Sequence, residues 1–212
     1  MATYHEDQER IEGLKAWWGQ YGTMITIVLA VALATVGANK AWNYYQLQQS
    51  QQAADLYELL KQIQTSEDAV KINDAAQLLM EGYASSGYAS RAALIAALAD
   101  VHQAGNYPRA IKNLQWVIDH AKETELHDVA RLRMSGILLD EGKYDEAMRI
   151  LNSGHGEAFA GLYLDRKGDI QVAAQKISEA RLSYQAAIDK LSKSNNYYNI
   201  VQMKLDALGE SE

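Results

Sequence analysis

The sequence predicts an all-α protein with one N-terminal transmembrane helix, a helical repeat domain and a C-terminal capping helix. Pro occurs once, Phe once and Cys never among the 212 residues, whereas Ala, Leu and Gln are abundant, a composition typical of helices. A long uncharged segment lies near the N-terminus, and a short motif recurs further along the chain. These three observations are the basis of the prediction.

The composition also argues against several classes of function. The chain has 27 acidic and 20 basic residues, a formal charge of −7, so it has no surplus of cations for the phosphates of a nucleic acid. The absence of cysteine excludes disulfides, thiolate zinc sites, cysteine nucleophiles and lipidated cysteines. Because the chain has an excess of acidic residues, we expect no nucleic-acid partner.

The uncharged segment predicts a transmembrane helix over residues 16–41. No charge lies between Lys15 and Lys40, and residues 23–38 are apolar on every face of a helix. At about 1.5 Å per residue, residues 16–39 span about 36 Å, enough to cross a hydrocarbon core of roughly 30 Å. Aromatic residues flank the segment where headgroups would lie: Trp17, Trp18, Tyr21, Trp42, Tyr44 and Tyr45. A lipid bilayer is therefore an expected partner.

Two other interpretations of this segment stay open. Small residues at 36–38 would suit a signal peptidase, but a long, mostly polar stretch with four acidic side chains precedes the apolar run, unlike a signal peptide. A buried core helix would need more apolar neighbours than the other helices offer. Arg10, Lys15 and the α-amino group precede the uncharged stretch 16–39, and Lys40 directly follows it, so the positive-inside rule predicts a cytoplasmic N-terminal tail over 1–15.

The domain after the span, residues 42–212, is predicted to begin with one long helix. Within residues 42–64, five glutamines at 46–52 are followed by apolar residues at helical spacing. Thr65, Ser66, Glu67 and Asp68 predict the start of the next helix, with a hydroxyl cap and an acidic first turn. Residues 85–87 are expected to end that helix.

A recurring motif predicts helical repeats in the rest of the chain. The pattern Gly-x-Tyr-x-x-Ala-x-x-x-Leu begins at Gly105 and again at Gly142, 37 residues later. A third copy lies 33 residues further on, with Gln175 at the position of the turn glycine and Gly168 at the small position of its first helix. Leu98 takes that small position in the first copy.

These offsets match the tetratricopeptide pattern, in which small residues let paired helices approach and a glycine makes the turn. We predict repeats near 91–127, 128–160 and 161–194, and a capping helix over 196–208. The alternative is a set of unrelated helices that share Gly, Tyr and Ala by chance.

The order of these parts resembles a known family over nearly the whole chain. An acidic tail and Trp17-Trp18 precede the span, Trp42 follows it, and the later motifs are Gly-His-Gly-Glu at 154–157, Asp-Arg-Lys-Gly-Asp-Ile at 165–170 and the ending at 201–208. Together they resemble the ancillary SecYEG translocon subunit family, also called YfgM-like. The resemblance implies a bacterial inner-membrane protein with a periplasmic repeat domain. It also implies two partners, the SecYEG translocon and a membrane-anchored periplasmic chaperone of the prolyl-isomerase type.

No catalytic arrangement is recognisable in the sequence. The Gly-His-Gly at 154–156 lacks the third glycine and the preceding strand of a phosphate-binding loop, so we interpret it as a helix stop and restart. His120 and His127 lie among acidic residues that include Asp128, but their spacing does not converge on one ion, and we interpret the group as solvated surface charge. We therefore expect no catalytic, cofactor or metal site and no small-molecule substrate.

The predicted binding surface is the inner groove of the repeats, which the first helix of each repeat lines. The candidate residues are Ile95, His102, Gln103, Leu132, Leu139, Asp140, Asp165 and Asp169. An apolar floor with polar or acidic edges suits an extended peptide or an amphipathic helix. The alternative for any of these residues is packing against the capping helix.

The sequence thus predicts a non-enzymatic protein-binding scaffold at the inner membrane, ancillary to the Sec translocon and linking it to periplasmic chaperones. A membrane-tethered regulator that sequesters a signalling protein is the alternative, and an enzyme with an unrecognised site is a third possibility.

Overall fold

The computed structural model describes residues 2–65, 68–193 and 196–209, with side chains from residue 11 onward. Over these residues the structure consists of helices and connecting turns without a β-strand, which confirms the all-α prediction. The chain divides into two compact units, Met1–Gln51 and Gln52–Glu212.

The first unit is formed by most of one long helix, α1 (Ala2–Gln64). Among the described residues, α1 contains the one stretch that is long and apolar enough to cross a membrane. Its apolar side chains are exposed: Ile27 is 59% and Leu33 72% exposed. This exposure contradicts the buried-core interpretation, because a core helix would have protein around these side chains.

Two threonine hydroxyls within this apolar stretch are satisfied inside the helix itself. The Thr26 hydroxyl donates to the Gly22 carbonyl at 2.7 Å, and the Thr35 hydroxyl donates to the Val31 carbonyl at 2.8 Å. Such bonds leave no hydroxyl hydrogen facing outward, as a hydrocarbon environment requires.

The second unit is a succession of short helices in which each helix from α2 onward contacts the next. They are α2 (Ala69–Gly82), α3 (Gly87–His102), α4 (Tyr107–His120), α5 (Thr124–Asp140), α6 (Tyr144–Asn152), α7 (Ala160–Ala173), α8 (Ile177–Lys190) and α9 (Asn196–Ala207). A short 3-10 helix, Glu157–Phe159, precedes α7. The predicted repeats begin at 91, 128 and 161, whereas α3, α5 and α7 begin at Gly87, Thr124 and Ala160; the repeat intervals stay predictions.

The cap of α2 differs from the predicted one. The Asp68 carboxylate accepts hydrogen bonds from the amides of Val70 and Lys71 at 3.1 and 3.2 Å. Thr65 instead donates its hydroxyl to the Gln62 carbonyl at the end of α1, so a Thr65 hydroxyl cap was the wrong prediction. Aspartate is as good an N-cap as a hydroxyl residue, and Asp68 directly precedes the helix. Ser66 and Glu67 lie outside the described residues.

The turn inside each helix pair has one residue with left-handed backbone. The φ angles are +60° at Gly105, +71° at Gly142 and +60° at Gln175. The three positions are those that the recurring motif aligned. Because L side chains rarely adopt this conformation, Gln175 carries backbone strain that the two glycines avoid.

The small position of the first repeat is Ala97, and the assignment of Leu98 was wrong. Ala97 is 1% exposed, whereas Leu98 is 40% exposed. The α3–α4 turn explains the shift: the Asn106 amide bonds to the carbonyl of Asp100, six residues earlier, while the equivalent Lys143 amide reaches back five. The turn is therefore one residue longer, and the register in α3 moves by one.

The small position of the third repeat is Gly168, as predicted. A Cβ atom added there would lie 2.4 Å from Cε1 of Tyr184 in α8. This glycine therefore allows α7 and α8 to pack closely.

Candidate partner-binding groove

An open cavity of about 240 Å³, called the groove below, lies where α3, α5 and α7 come together in the second unit. Its lining is apolar at the floor and charged or polar at the edges. The apolar residues are Ala97, Leu98, Val101, Leu114, Leu132 and Ile137; the polar residues are His102, Arg133, Asp140 and Arg166. A surface of this kind can bury apolar side chains and fix charged ones.

Helix α5 supplies about half of the lining because one of its faces points into the groove. Leu132, Gly136 and Asp140 follow each other at four-residue intervals, the spacing that aligns side chains along a helix. Gly136 keeps the middle of this face open: a Cβ atom there would lie 3.7 Å from the guanidinium of Arg166. The arginine of α7 can therefore approach α5 closely.

Three of the eight predicted groove residues line this cavity: His102, Leu132 and Asp140. Ile95 is half-buried against the apolar cluster of α1, α2 and α3. Leu139 packs against the larger cluster that α3 to α7 share. Gln103 is exposed and forms the C-cap of α3.

The remaining two, Asp165 and Asp169 on α7, are engaged by α9. Nζ of Lys204 lies 2.8 Å from Oδ1 of Asp165 and 2.7 Å from Oδ1 of Asp169. The Tyr197 hydroxyl of α9 donates to Asp165, and the Tyr184 hydroxyl of α8 donates to Asp169 at 2.8 Å. Both carboxylates therefore serve to hold the capping helix, the alternative that their positions had left open.

The tyrosines of this cluster act as hydrogen-bond donors. Burial, and then the carboxylate of Asp169, raises the pKa of Tyr184 above its ordinary value. Burial and the hydrogen bond to Asp165 likewise raise the pKa of Tyr197 above its ordinary value. Both hydroxyls consequently keep their protons and donate hydrogen bonds to these side chains.

Two arginines give the groove a charge that the sequence analysis did not anticipate. Arg133 and Arg166 are 33 residues apart, the offset between the second and third copies of the motif, so they are equivalent residues of successive repeats. Arg133 donates to the Leu94 carbonyl at 3.1 Å. The repeat offset was the pattern that could have revealed this pair.

Neither arginine is fully neutralised within the part of the chain that the structure describes. Arg133 forms no ion pair there; the residue is exposed, although partial burial of its guanidinium lowers the pKa of that group. Arg166 lies 3.7 Å from Asp169, but Lys204 and Tyr184 already occupy that carboxylate.

Another buried carboxylate ties α3 to its neighbours. Asp100 is 0% exposed and accepts from Asn73 of α2 at 2.8 Å, and from Arg109 and Asn113 of α4 at 2.6 and 3.0 Å. Hydrogen bonds of this kind offset the cost of burying a carboxylate.

Asp128 corrects the interpretation of the His120–His127 region as solvated charge. Asp128 is 3% exposed and accepts from the Tyr163 hydroxyl at 3.1 Å and the Gly156 amide at 2.9 Å. Its partners come 35 and 28 residues later in the chain, so local spacing gave no indication of its burial. The helix stop and restart predicted at 154–156 lies between two helices of the structure: α6 ends at Asn152, and the next α-helix begins at Ala160.

The histidines of this region contact backbone carbonyls. His120 Nδ1 lies 3.0 Å from the Trp116 carbonyl and His127 Nε2 lies 2.8 Å from the Ala121 carbonyl. In the described ranges, no group of three His, Cys, Asp or Glu side chains is placed to hold a metal ion.

The pairing of helices agrees with a comparison to known families. A family model described as a tetratricopeptide repeat-like domain matches residues 15–210. The chain belongs to this tetratricopeptide repeat-like family. The match confirms the fold class that the motif offsets predicted, and it begins just before the apolar stretch of α1.

Curated relatives that align with this chain share one name, "Ancillary SecYEG translocon subunit". The proteins from Neisseria gonorrhoeae and Haemophilus influenzae are each 29% identical, over 209 and 215 residues, and each alignment covers 98% of this chain and 100% of the relative. The Escherichia coli protein is 19% identical over 208 residues, 98% of this chain and 99% of its own length. The resemblance drawn from the sequence motifs is confirmed.

Proposed function

We propose that this tetratricopeptide repeat-like protein is a non-enzymatic, membrane-anchored scaffold that binds other proteins in its groove and is ancillary to the SecYEG translocon. The observation that carries the proposal is the open, apolar groove with charged edges on a stack of paired helices, a surface that suits peptide segments. The names of the full-length relatives identify the translocon as the first partner to test. A membrane-anchored periplasmic chaperone of the prolyl-isomerase type is the second.

In this proposal the apolar stretch of α1 anchors the protein in the bacterial inner membrane. Residues 1–15 form a cytoplasmic tail, residues 16–41 cross the bilayer, and residues 42–212 form the periplasmic domain. An anchor confines the domain to the membrane surface, so that weak groove contacts become effective through a raised local concentration. Reporter fusions at the two termini test this topology: a periplasmic reporter active at the N-terminus and inactive at the C-terminus would contradict it.

Affinity capture tests the proposed function. Tagged full-length protein is recovered from detergent-solubilised membranes, and translocon subunits are quantified against an untagged control. Wild-type protein is expected to enrich them. Failure of the wild-type protein to recover any translocon subunit would overturn the proposal.

A groove-filling variant makes the same experiment specific for the site. Gly136→Leu places its side chain in the groove, where a Cβ atom has room. Gly154→Leu is the matched control, since a Cβ atom there meets nothing within 4 Å and the residue lies outside the groove lining. Recovery of translocon subunits is expected to fall for Gly136→Leu and to stay at the wild-type level for Gly154→Leu.

A further inference from the structure

We infer that the groove takes an acidic segment of a partner polypeptide, with a carboxylate side chain on Arg133 and Arg166 and neighbouring apolar side chains on the floor. The inference rests on the proposed function and specifies the chemistry of the partner segment.

The local charge of the groove differs from the charge of the whole chain. The chain as a whole is acidic, with a formal charge of −7, yet the groove lining carries two arginines and one carboxylate, Asp140. Arg133 is exposed in the groove and has no ion-pair partner among the described residues, so its guanidinium is accessible to an incoming carboxylate. An incoming carboxylate would neutralise a charge that the fold leaves uncompensated.

The equivalent helix face carries different residues one repeat later. Asp165 and Asp169 correspond to Leu132 and Gly136, 33 residues earlier in the chain. In the third repeat the acidic face binds a helix, α9, through the cation of Lys204. In the second repeat, Leu132 and Gly136 replace the two acidic residues, whereas the arginine is retained as Arg133. A segment complementary to this face therefore carries apolar and acidic side chains.

The space beside Arg166 can admit a carboxylate. Gly136 leaves the space beside the Arg166 guanidinium open, and an arginine fork can hold a carboxylate through two parallel hydrogen bonds. Leu98 is 40% exposed at the floor, which leaves apolar surface for the side chains next to that carboxylate.

A binding measurement with defined probes tests the inference. Full-length protein in detergent micelles is titrated into a fluorescein-labelled Gly-Leu-Glu-Leu-Leu-Glu-Leu peptide, and fluorescence anisotropy is recorded. The matched probe has Gln in place of both Glu residues. The Glu probe is expected to bind about tenfold more tightly than the Gln probe, with an affinity that falls as salt rises.

Variants assign the effect to the two arginines. Arg133→Gln and Arg166→Gln are each expected to weaken binding of the Glu probe about five- to tenfold. Arg149→Gln is the control, because Arg149 has a 75% exposed side chain and lies outside the groove lining. Equal binding of the two probes, no binding of the Glu probe, or wild-type binding by both groove variants would overturn the inference.

A charge reversal keeps the test valid if a single variant unfolds. The double variant Arg133→Glu, Arg166→Glu is expected to lose the Glu probe and to gain binding of a probe with Lys at both positions, and circular dichroism monitors its helix content. An unfolded double variant is replaced by Arg133→Lys, which keeps the charge and is expected to retain more Glu-probe binding than Arg133→Gln. Equal loss in those two variants would count against the carboxylate contact.

The two proposals can fail separately. If wild-type protein recovers translocon subunits but does not distinguish the Glu and Gln probes, the acidic segment is wrong and the scaffold stands. If the Glu probe binds through the arginines but no translocon subunit is recovered, the groove chemistry stands and the proposed partner is wrong.

Discussion

The ammonium group of Lys204 in α9 lies 2.8 Å from Oδ1 of Asp165 in α7, and the Asp165 side chain is 2% exposed. This pair joins the capping helix to the first helix of the third repeat. It also explains why the inner face is occupied at the third repeat, whereas the groove beside α3 and α5 is open.

Replacing Lys204 with Met is therefore expected to destabilise the second unit. The variant leaves Asp165 buried without its cation, although the Tyr197 hydroxyl still donates to it, and we expect a loss of about 2–3 kcal/mol. Thermal unfolding of the full-length protein in detergent measures the effect. Lys190→Met is the control, since Lys190 pairs with Glu157 on the exposed surface and should change the midpoint little. Equal midpoints for the two variants would refute the role of Lys204.

The left-handed residue of the α7–α8 turn offers a second test. Gln175→Gly relieves strained backbone and is expected to stabilise the protein by about 0.5–1 kcal/mol. Gly142→Ala introduces the same strain in the α5–α6 turn and is expected to destabilise it by about 1–2 kcal/mol. The loss expected for Gly142→Ala does not come from a steric clash, because a Cβ atom at Gly142 meets nothing within 4 Å.

Gly154→Ala is the control for Gly142→Ala, because it replaces a glycine that does not lie in a left-handed turn. Its Cβ atom also has open space, and Gly154 does not have a positive φ. Thermal midpoints that move alike for Gly142→Ala and Gly154→Ala would contradict the strain argument.

Two buried tyrosines and the partly buried Tyr197 predict a loss of stability at high pH. Burial raises the pKa values of Tyr163, Tyr184 and Tyr197 in the folded state, whereas an unfolded tyrosine titrates near about 10. Below that pH both states are protonated and the stabilisation is present in full. Above it the unfolded state ionises first, so each tyrosine contributes a loss of about 1.4 kcal/mol per pH unit.

Unfolding measured between pH 9 and pH 11 checks the sign and the origin of this dependence. Stability should fall across the range, and Tyr184→Phe should make the fall less steep. A Tyr184→Phe protein with the wild-type slope would show that this hydroxyl is not responsible.

Local patterns in the sequence predicted the turns and the close helix contact. Gly105, Gly142 and Gln175 were aligned by a motif of ten residues, and all three have left-handed backbone in the structure. Gly168 was found in the same way, because helix pairing within a repeat depends on residues close together in the chain. Leu98 was misplaced because one extra residue in the α3–α4 turn shifts the register.

Contacts between distant residues were not predictable in this way. The Asp100 carboxylate accepts hydrogen bonds from the side chains of Asn73 and Asn113. No short sequence motif contains all three residues. Asp165 and Asp169 were assigned to the groove because their repeat positions face inward. The structure adds Lys204, which lies 35 or more residues later and accounts for both carboxylates.

The most direct measurement of the central claim is photocrosslinking in intact cells from a photoreactive residue at position 140, which lines the groove. The same residue at position 182 is the control, because Leu182 is 72% exposed and lies outside the groove lining. We expect crosslinks to a translocon subunit from position 140 and far weaker ones from position 182. Crosslinks of equal yield from both positions, or none to the translocon from position 140, would contradict the central claim.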